Sequence, residues 1–121
     1  MMPRILTVDD SVAMRQMVEV TLTSAGYDVK QAENGREALD LAGSQVFDLV
    51  ITDVNMPQMD GLTLVRTLRS LPNYKHTPLL VLTTEHTAER KIEGREAGAT
   101  GWLVKPFNPE RLLATVAKVL K

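Results

Sequence analysis

The sequence predicts an α/β protein built on a doubly wound, five-stranded parallel sheet with helices on both faces. Three observations support this fold class. Five short segments rich in apolar and β-branched residues alternate strictly with five segments whose apolar residues recur at helical spacing. Only a few residues connect each segment to the next, and 121 residues are enough for one hydrophobic core. Alternating β and α units form parallel sheets through right-handed crossovers, which place helices on both faces.

Turn and capping residues set the boundaries of these elements. The predicted strands are 4–8, 27–32, 49–53, 78–82 and 101–104, and the predicted helices are 11–25, 34–43, 61–70, 87–98 and 108–120. Gly26 is expected to end the first helix, and Asn108 with Pro109 to begin the last.

The helices differ in the apolar surface that they offer to the core. The predicted inward residues are Met14, Met17, Val18, Leu22 and Ala25, then Ala38, Leu39, Leu41 and Ala42, then Leu64, Val65 and Leu68, and finally Leu112, Leu113, Val116 and Leu120. The fourth helix offers only Ala88, Ile92 and Ala97, and Gly94 in its middle costs roughly 1 kcal/mol relative to alanine. We therefore expect the fourth helix to be the loosest element and the one best able to move.

Composition excludes several classes of protein. The 14 basic and 15 acidic residues give a net charge of −1, without the basic surface that nucleic-acid binding requires. No apolar run approaches the roughly 20 residues of a membrane span, and the N-terminus lacks the pattern of a signal peptide. Without cysteine the chain has no disulfide and no thiolate metal site. We expect a soluble, cytoplasmic protein that binds neither nucleic acid nor membranes.

Charged and hydroxyl residues follow the predicted strands at the points where those strands end. These residues are Asp9, Asp10, Asp53, Thr83 and Lys105. Because the carboxyl ends of parallel strands share one edge of the sheet, we expect these side chains to meet. Neighbouring carboxylates repel each other, and a divalent cation that prefers oxygen ligands, above all Mg²⁺, would relieve the repulsion. With a lysine and a hydroxyl for phosphoryl oxygens, the set indicates phosphoryl transfer to a carboxylate, Asp53.

Each residue also has a simpler interpretation when it is considered alone. Asp53, Asp9 or Asp10 could cap a helix, Lys105 could be a solvated loop lysine, and Thr83 could bond to the backbone at a strand end. Their convergence on one edge of the sheet favours a functional site over these separate interpretations.

Several segments resemble the signature of response-regulator receiver domains, and the similarity extends along the whole chain. The segments are Val8-Asp9-Asp10-Ser11, Asp53-Val54-Asn55-Met56-Pro57-Gln58-Met59-Asp60-Gly61, Thr83 and Lys105-Pro106-Phe107. Within the family, the chain is most similar to the single-domain receivers of chemotaxis. The resemblance implies a flavodoxin-like sheet with the strand order 2-1-3-4-5.

The resemblance also implies roles for individual residues. Asp53 is expected to be the phosphate acceptor, and Thr83 and Lys105 to contact the phosphoryl group. Mg²⁺ is expected to bind Asp10, Asp53 and the backbone carbonyl of Asn55, with Asp9 completing the acidic pocket through water. Asn55 and Glu85 match positions that tune dephosphorylation, and the Lys105–Pro106 bond is expected to be cis.

Signal output, by the same resemblance, is expected to use the fourth helix, the last strand and the final helix. Thr83 and Trp102 occupy the family's switch positions, but Trp102 replaces the usual tyrosine or phenylalanine. An indole is larger than either ring and must place its N–H, so a core role for Trp102 is as well supported as a switching role.

The implied partners follow from the family. They are a sensor histidine kinase (CheA-like), a flagellar motor switch protein (FliM-like) or another output protein, and a possible phosphatase. The chain is expected to be a monomer, a single receiver domain over residues 1–121 without an output domain. It would catalyse only its own phosphorylation and dephosphorylation.

Other functions fit the residues less well. A phosphatase of the haloacid-dehalogenase type would need a second acid where this chain has Asn55, and a flavodoxin-like carrier would need a phosphate-binding loop where it has Asp9 and Asp10. A phosphate sink or a phosphorelay intermediate remains an alternative to motor control. His76 and His86 have no partner at ligand spacing, and we interpret both as structural.

Overall fold

Five strands alternate with five helices in the computed structural model, which describes residues 2–56, 58–84, 88–105 and 108–120. The strands are β1 (Arg4–Val8), β2 (Asp28–Ala32), β3 (Leu49–Asp53), β4 (Leu79–Thr83) and β5 (Gly101–Val104). The helices are α1 (Val12–Ser24), α2 (Gly35–Ser44), α3 (Gly61–Arg69), α4 (Ala88–Ala97) and α5 (Pro109–Val119), and a short 3₁₀ turn spans Pro72–Tyr74. Within these ranges no helix combines the length and apolarity needed to cross a membrane.

The strands form one parallel sheet in the order β2-β1-β3-β4-β5, as the resemblance implied. In register, Ile5 of β1 pairs with both Val29 of β2 and Leu49 of β3, and Val81 of β4 pairs with Trp102 of β5. Every residue of β3 and β4 is buried, because helices cover both faces of the central strands. Because β1 and β3 are neighbours in the sheet, Asp9 and Asp10, which follow β1, lie beside Asp53 at the end of β3.

The two faces of the sheet have separate hydrophobic clusters. One contains Leu6 and Val50 with side chains from α2 and α3, and the other contains Ile5 and Leu49 with side chains from α1 and α5. Adjacent residues of one strand thus belong to opposite layers, as the period of two requires. Strands packed on both faces hold their carboxyl ends rigidly, which positions the residues that follow them.

Helix starts are set by polar side chains. Among the residues that the structure describes, four caps are seen, each with a side-chain oxygen that accepts a hydrogen bond from a backbone N–H of the helix's first turn. These N-caps are Ser11 for α1, Asn34 for α2, Asp60 for α3 and Asn108 for α5. The prediction that Asn108 and Pro109 begin the last helix is confirmed.

Some expectations about the helices are wrong. Met17 and Ala25 are exposed, because α1 packs on the sheet through the stripe that contains Val18 and Leu22. Ile92 in α4 is 51% exposed rather than inward. Gly94 faces inward against the sheet, and a residue two positions away lies about 200° around the helix, on the opposite side.

Several boundaries also differ from the prediction by one residue. For example, β2 begins at Asp28 rather than at Tyr27, and β4 spans Leu79–Thr83 rather than 78–82. The turn over Pro72–Tyr74 was not predicted. That turn buries Tyr74, whose hydroxyl accepts a hydrogen bond from the Phe47 N–H and donates toward the carbonyl oxygens of Ala42 and Gln45. A turn of three residues is too short to show a periodic pattern of apolar residues in the sequence.

Candidate phosphoryl-acceptor site

Three carboxylates meet at the carboxyl edge of the sheet. Oxygen atoms of Asp9, Asp10 and Asp53 all lie within 4.8 Å of one another. Asp9 is 3% exposed and Asp53 is 6% exposed, whereas Asp10 is open to solvent. The carboxylates at the ends of β1 and β3 therefore meet, as the sequence predicts.

Lys105 reaches into this cluster from the end of β5. Its Nζ lies 3.1 Å from Asp9 Oδ2 and 2.9 Å from Asp53 Oδ1, and its side chain is only 13% exposed. The alternative of a solvated loop lysine therefore does not hold. Burial disfavours the ammonium, but the hydrogen bond and charge of Asp53, with those of Asp9, outweigh burial and raise the pKa of Lys105. Lys105 stays cationic at neutral pH.

Asp53 carries an electrostatic penalty in this environment. Burial raises the pKa of Asp53 above its ordinary value, and the nearby Asp9 carboxylate adds to the rise. The hydrogen bond and charge of Lys105, together with the Val54 N–H, lower the pKa of Asp53 but do not cancel this rise. One lysine therefore does not neutralise the three carboxylates, and a further cation would lower their mutual repulsion.

The junction between β3 and α3 leaves the Asp53 side chain available. Asp60 caps α3, accepting from the Thr63 N–H at 2.8 Å, so Asp53 is not a helix cap. Gly61 packs so closely on β3 that a Cβ atom there would lie 2.1 Å from the Asp53 carbonyl oxygen. In the sequence, Gly61 stands out only as the last residue of one segment of the receiver signature and the first residue of the predicted third helix. The structure shows that it allows α3 to start directly against the strand that carries the acceptor.

The β1–α1 junction holds Asp9 firmly. Its Oδ1 accepts a hydrogen bond from the Ser11 N–H at 2.9 Å, and its backbone N–H donates to the Ala32 carbonyl at 3.2 Å. Ser11, and neither aspartate, caps α1. The guanidinium of Arg15, which the sequence analysis did not single out, donates to the Asp9 carbonyl.

Thr83 ends β4 next to the acidic cluster and is fully buried. Leu82, one residue earlier, pairs with Asp53 across the sheet. The backbone N–H of Lys105 donates to the Thr83 carbonyl at 2.7 Å, so one backbone bond joins the two residues predicted to contact the phosphoryl group. Asn55 is exposed two residues beyond Asp53. The predictions for Glu85, His86 and the Lys105–Pro106 bond lie outside the described residues.

Trp102 lies on β5 and is partly buried against the cluster shared with α2 and α3. Its six-membered ring covers Gly94 of α4, where a Cβ atom would lie 2.8 Å from Trp102 Cζ3. The helix therefore approaches the indole as closely as a glycine permits. Trp102 therefore packs directly on α4.

The donor set fits Mg²⁺. All three clustered side chains offer carboxylate oxygens, which a small hard cation prefers, and the exposed side of Asp10 leaves room for waters or a phosphoryl oxygen. A cluster of this kind is typical of the Mg²⁺ site of receiver domains.

Comparison with known proteins identifies the class. The family model for the response regulator receiver domain matches residues 5–117. The chain belongs to this family, which is a family of receiver domains and not one of classical enzymes.

Curated relatives support the same assignment. The chain is 44% identical over 118 residues to the response regulator MprA of Mycolicibacterium vanbaalenii, covering 98% of this chain and 50% of the relative. It is 39% identical over 120 residues to the DNA-binding dual master transcriptional regulator RpaA of Synechocystis, covering 99% of this chain and 50% of the relative. The chain thus spans about half the length of these curated relatives.

Solved structures match over full length. The chemotaxis protein CheY4 of Vibrio cholerae superposes with a TM-score of 0.97 at 55% identity, covering 99% of this chain and 100% of that one. A response regulator from Burkholderia multivorans superposes with a TM-score of 0.83 at 46% identity, covering 100% and 97%. The predicted fold, a CheY-like α/β sheet, is confirmed.

Proposed function

We propose that this chain is a stand-alone two-component response regulator that accepts a phosphoryl group on Asp53 from a sensor histidine kinase, in a Mg²⁺-dependent reaction. The observation that carries the proposal is the bridging position of Lys105, 2.9 Å from Asp53 Oδ1 and 3.1 Å from Asp9 Oδ2. A largely buried cation held against a strand-end carboxylate is placed to receive a group that brings more negative charge.

In the proposed reaction an oxygen of the Asp53 carboxylate attacks phosphorus. The new P–O bond forms as the P–N bond to the donor histidine breaks, and the leaving imidazole keeps the electron pair and takes a proton from solvent. Lys105, cationic throughout, donates to a phosphoryl oxygen, and the Thr83 hydroxyl donates to another. Because one backbone bond joins these two residues, a shift of one is transmitted to the other.

Asp10, Asp53 and the Asn55 carbonyl would hold Mg²⁺, with Asp9 acting through water. When bound, the ion neutralises charge on the carboxylates and the phosphoryl oxygens. The raised pKa of Asp53 supports this assignment, since burial and the Asp9 carboxylate disfavour its charged form and a bound cation would offset both. Asn55 and Glu85 would govern access of water to the acyl phosphate and hence its lifetime.

The proposed output is the face formed by α4, β5 and α5, with Thr83 and Trp102 as the switch and flagellar rotation as the response. The support is the 55% identity to a chemotaxis protein, together with the close contact between Trp102 and Gly94. We further propose a cytoplasmic monomer of one receiver domain, bound by a CheA-like kinase, a FliM-like motor protein and a phosphatase. The alternative output is a phosphate sink or relay intermediate, which would need no motor contact.

The acceptor proposal is tested by phosphorylation with acetyl phosphate, a small phosphoryl donor. Phosphate-affinity electrophoresis should show one shifted species for the wild type with Mg²⁺, and none after chelation. Asp53→Asn should abolish the shift, whereas Asp40→Asn, which removes an exposed carboxylate of α2, should preserve it. An unshifted wild type, or a shifted Asp53→Asn variant, would refute the proposal.

Motor control is tested separately with the N-terminal segment of FliM. Trp102, the single tryptophan, reports binding by its fluorescence. Affinity should rise about tenfold or more with acetyl phosphate and Mg²⁺, which corresponds to about 1.4 kcal/mol of coupling. Absent or phosphate-independent binding would favour the phosphate sink and leave the acceptor chemistry intact.

A further inference from the structure

Arg15 of α1 links the acidic cluster to the neighbouring strand. Its Nη1 donates to the Asp9 carbonyl oxygen at 2.6 Å, and its Nε donates to Gln31 Oε1 of β2 at 3.2 Å. The Gln31 amide in turn donates to the Glu19 carboxylate, one helical turn beyond Arg15. A chain of four groups therefore runs from α1 through β2 to the backbone of Asp9.

These hydrogen bonds matter because no other side chain holds the Asp10 carboxylate in place within the described residues. Asp10 is exposed, and within the described part of the structure no hydrogen bond holds its carboxylate. Its direction therefore depends on the backbone on either side. The carbonyl before it is held by Arg15, and the N–H after it, that of Ser11, is held by Asp9 Oδ1.

We propose that Arg15 is a positioning residue for the cation site, which fixes the Asp9–Asp10 peptide so that the Asp10 carboxylate stays directed at Asp53. Gln31 orients the guanidinium by accepting a hydrogen bond from Arg15 Nε, and Glu19 in turn fixes the Gln31 amide by accepting a hydrogen bond from it. This inference rests on the proposed Mg²⁺-dependent function and adds residues that touch neither the ion nor the phosphoryl group.

Charge and positioning predict opposite effects for the loss of Arg15. The guanidinium of Arg15, bonded to the backbone of Asp9, repels a cation that binds the Asp9 and Asp10 side chains, so by charge alone its removal should tighten Mg²⁺ binding. If Arg15 positions Asp10, its removal should instead weaken binding, by about tenfold or more, which is typical when a group that orients a metal ligand is lost. The sign of the change thus separates the two roles.

The experiment is calorimetric titration of the unphosphorylated protein with Mg²⁺. Arg15→Gln should raise the Kd about tenfold, and Arg15→Lys, which keeps the charge and one donor but not the fork to Gln31, should lie between it and the wild type. Gln31→Leu should raise the Kd by a smaller factor. Arg66→Gln, which removes an exposed arginine of α3, is the matched control and should bind as the wild type does.

An unchanged or lower Kd for Arg15→Gln would overturn the inference. Thermal unfolding of each variant shows whether the titrated protein is folded. Should Arg15→Gln fail to fold, Gln31→Leu tests the inference alone, and a Kd equal to that of the wild type would overturn it. A wild type that binds no Mg²⁺ would refute the proposed function itself, so the two failures are distinguishable.

Discussion

Replacing Gly94 by alanine should force Trp102 away from α4. An ideal Cβ at this position would lie 2.8 Å from Trp102 Cζ3 and 3.0 Å from Cε3, with Leu62 Cδ2 behind it at 3.8 Å. Contacts under 3.0 Å are not tolerated, and the rigid indole cannot bend to relieve them. The ring must therefore rotate outward, or α4 must move off the sheet.

Two effects of opposite sign set the magnitude. Alanine inside a helix gains about 1 kcal/mol over glycine, and overpacking against a fixed side chain costs about 1–3 kcal/mol. Gly43 of α2 provides the control, because nothing lies within 4 Å of its ideal Cβ. Gly43→Ala should therefore stabilise the protein by up to about 1 kcal/mol. Gly94→Ala should be less stable than Gly43→Ala by about 1–3 kcal/mol, the packing cost alone.

Urea unfolding of the two variants beside the wild type measures this difference. Trp102 is the single tryptophan, so its emission should shift in Gly94→Ala and stay constant in Gly43→Ala. If Gly94→Ala is as stable as Gly43→Ala and its emission is unchanged, the indole does not pack on Gly94. The proposed transmission from Trp102 to α4 would then lose its structural basis.

Three further variants test other parts of the molecule. Tyr74→Phe should lower the free energy of unfolding by about 1–3 kcal/mol in urea titrations, because it leaves the buried Phe47 N–H without its partner. Asp53→Asn should raise the melting temperature at pH 7, because burial, with Asp9, penalises the charged form and raises the pKa of Asp53. Asn108→Ala should cost about 1 kcal/mol, measured in the same way, because two N–H groups of α5 lose their acceptor.

The pH dependence of the Asp53→Asn effect has a definite sign. Because the pKa of Asp53 is raised in the native state, the native wild type binds more protons than its unfolded chain between the ordinary value of 3.8 and the raised value. Wild-type stability contributed by this group therefore falls as pH rises through that window. The advantage of Asp53→Asn should appear above the window and vanish below pH 3.8. A less stable Asp53→Asn at pH 7 would mean that the Lys105 ion pair outweighs burial.

A control for Tyr74→Phe is available within the chain. Tyr27→Phe removes a hydroxyl from a half-buried tyrosine outside this network and should change stability little. An equal loss in Tyr27→Phe and Tyr74→Phe would contradict the importance of the Phe47 contact. An unchanged Asn108→Ala would show that the first turn of α5 contributes little to stability.

Much of the fold could be predicted because each element carries its own local signal. Strands β3 and β4 are continuous apolar runs, and the helices begin at polar caps such as Asn108. The orientation of weak helices could not be predicted in the same way. With few apolar residues in α4, periodicity assigned Ile92 to the core, whereas the contact of Gly94 with Trp102 decides the orientation of that helix.

The residues of the site also fall into those that could be predicted from the sequence and those that could not. Asp9, Asp53 and Lys105 could be found because parallel strands bring their ends to one edge. Gly61 and Arg15 could not, because their roles depend on distances to backbone carbonyls, 2.1 Å from an ideal Cβ and 2.6 Å from a guanidinium. Sequence spacing contains no information about which carbonyl a long side chain reaches.

Chemical trapping of the acyl phosphate tests the central claim most directly. After acetyl phosphate and Mg²⁺ treatment, borohydride reduces an aspartyl phosphate to an alcohol, and peptide mass spectrometry locates the modified residue. We expect one reduced residue, Asp53, and none without Mg²⁺. Reduction at Asp9 or Asp10 instead, or no reduction in a protein that carries phosphate, would contradict it.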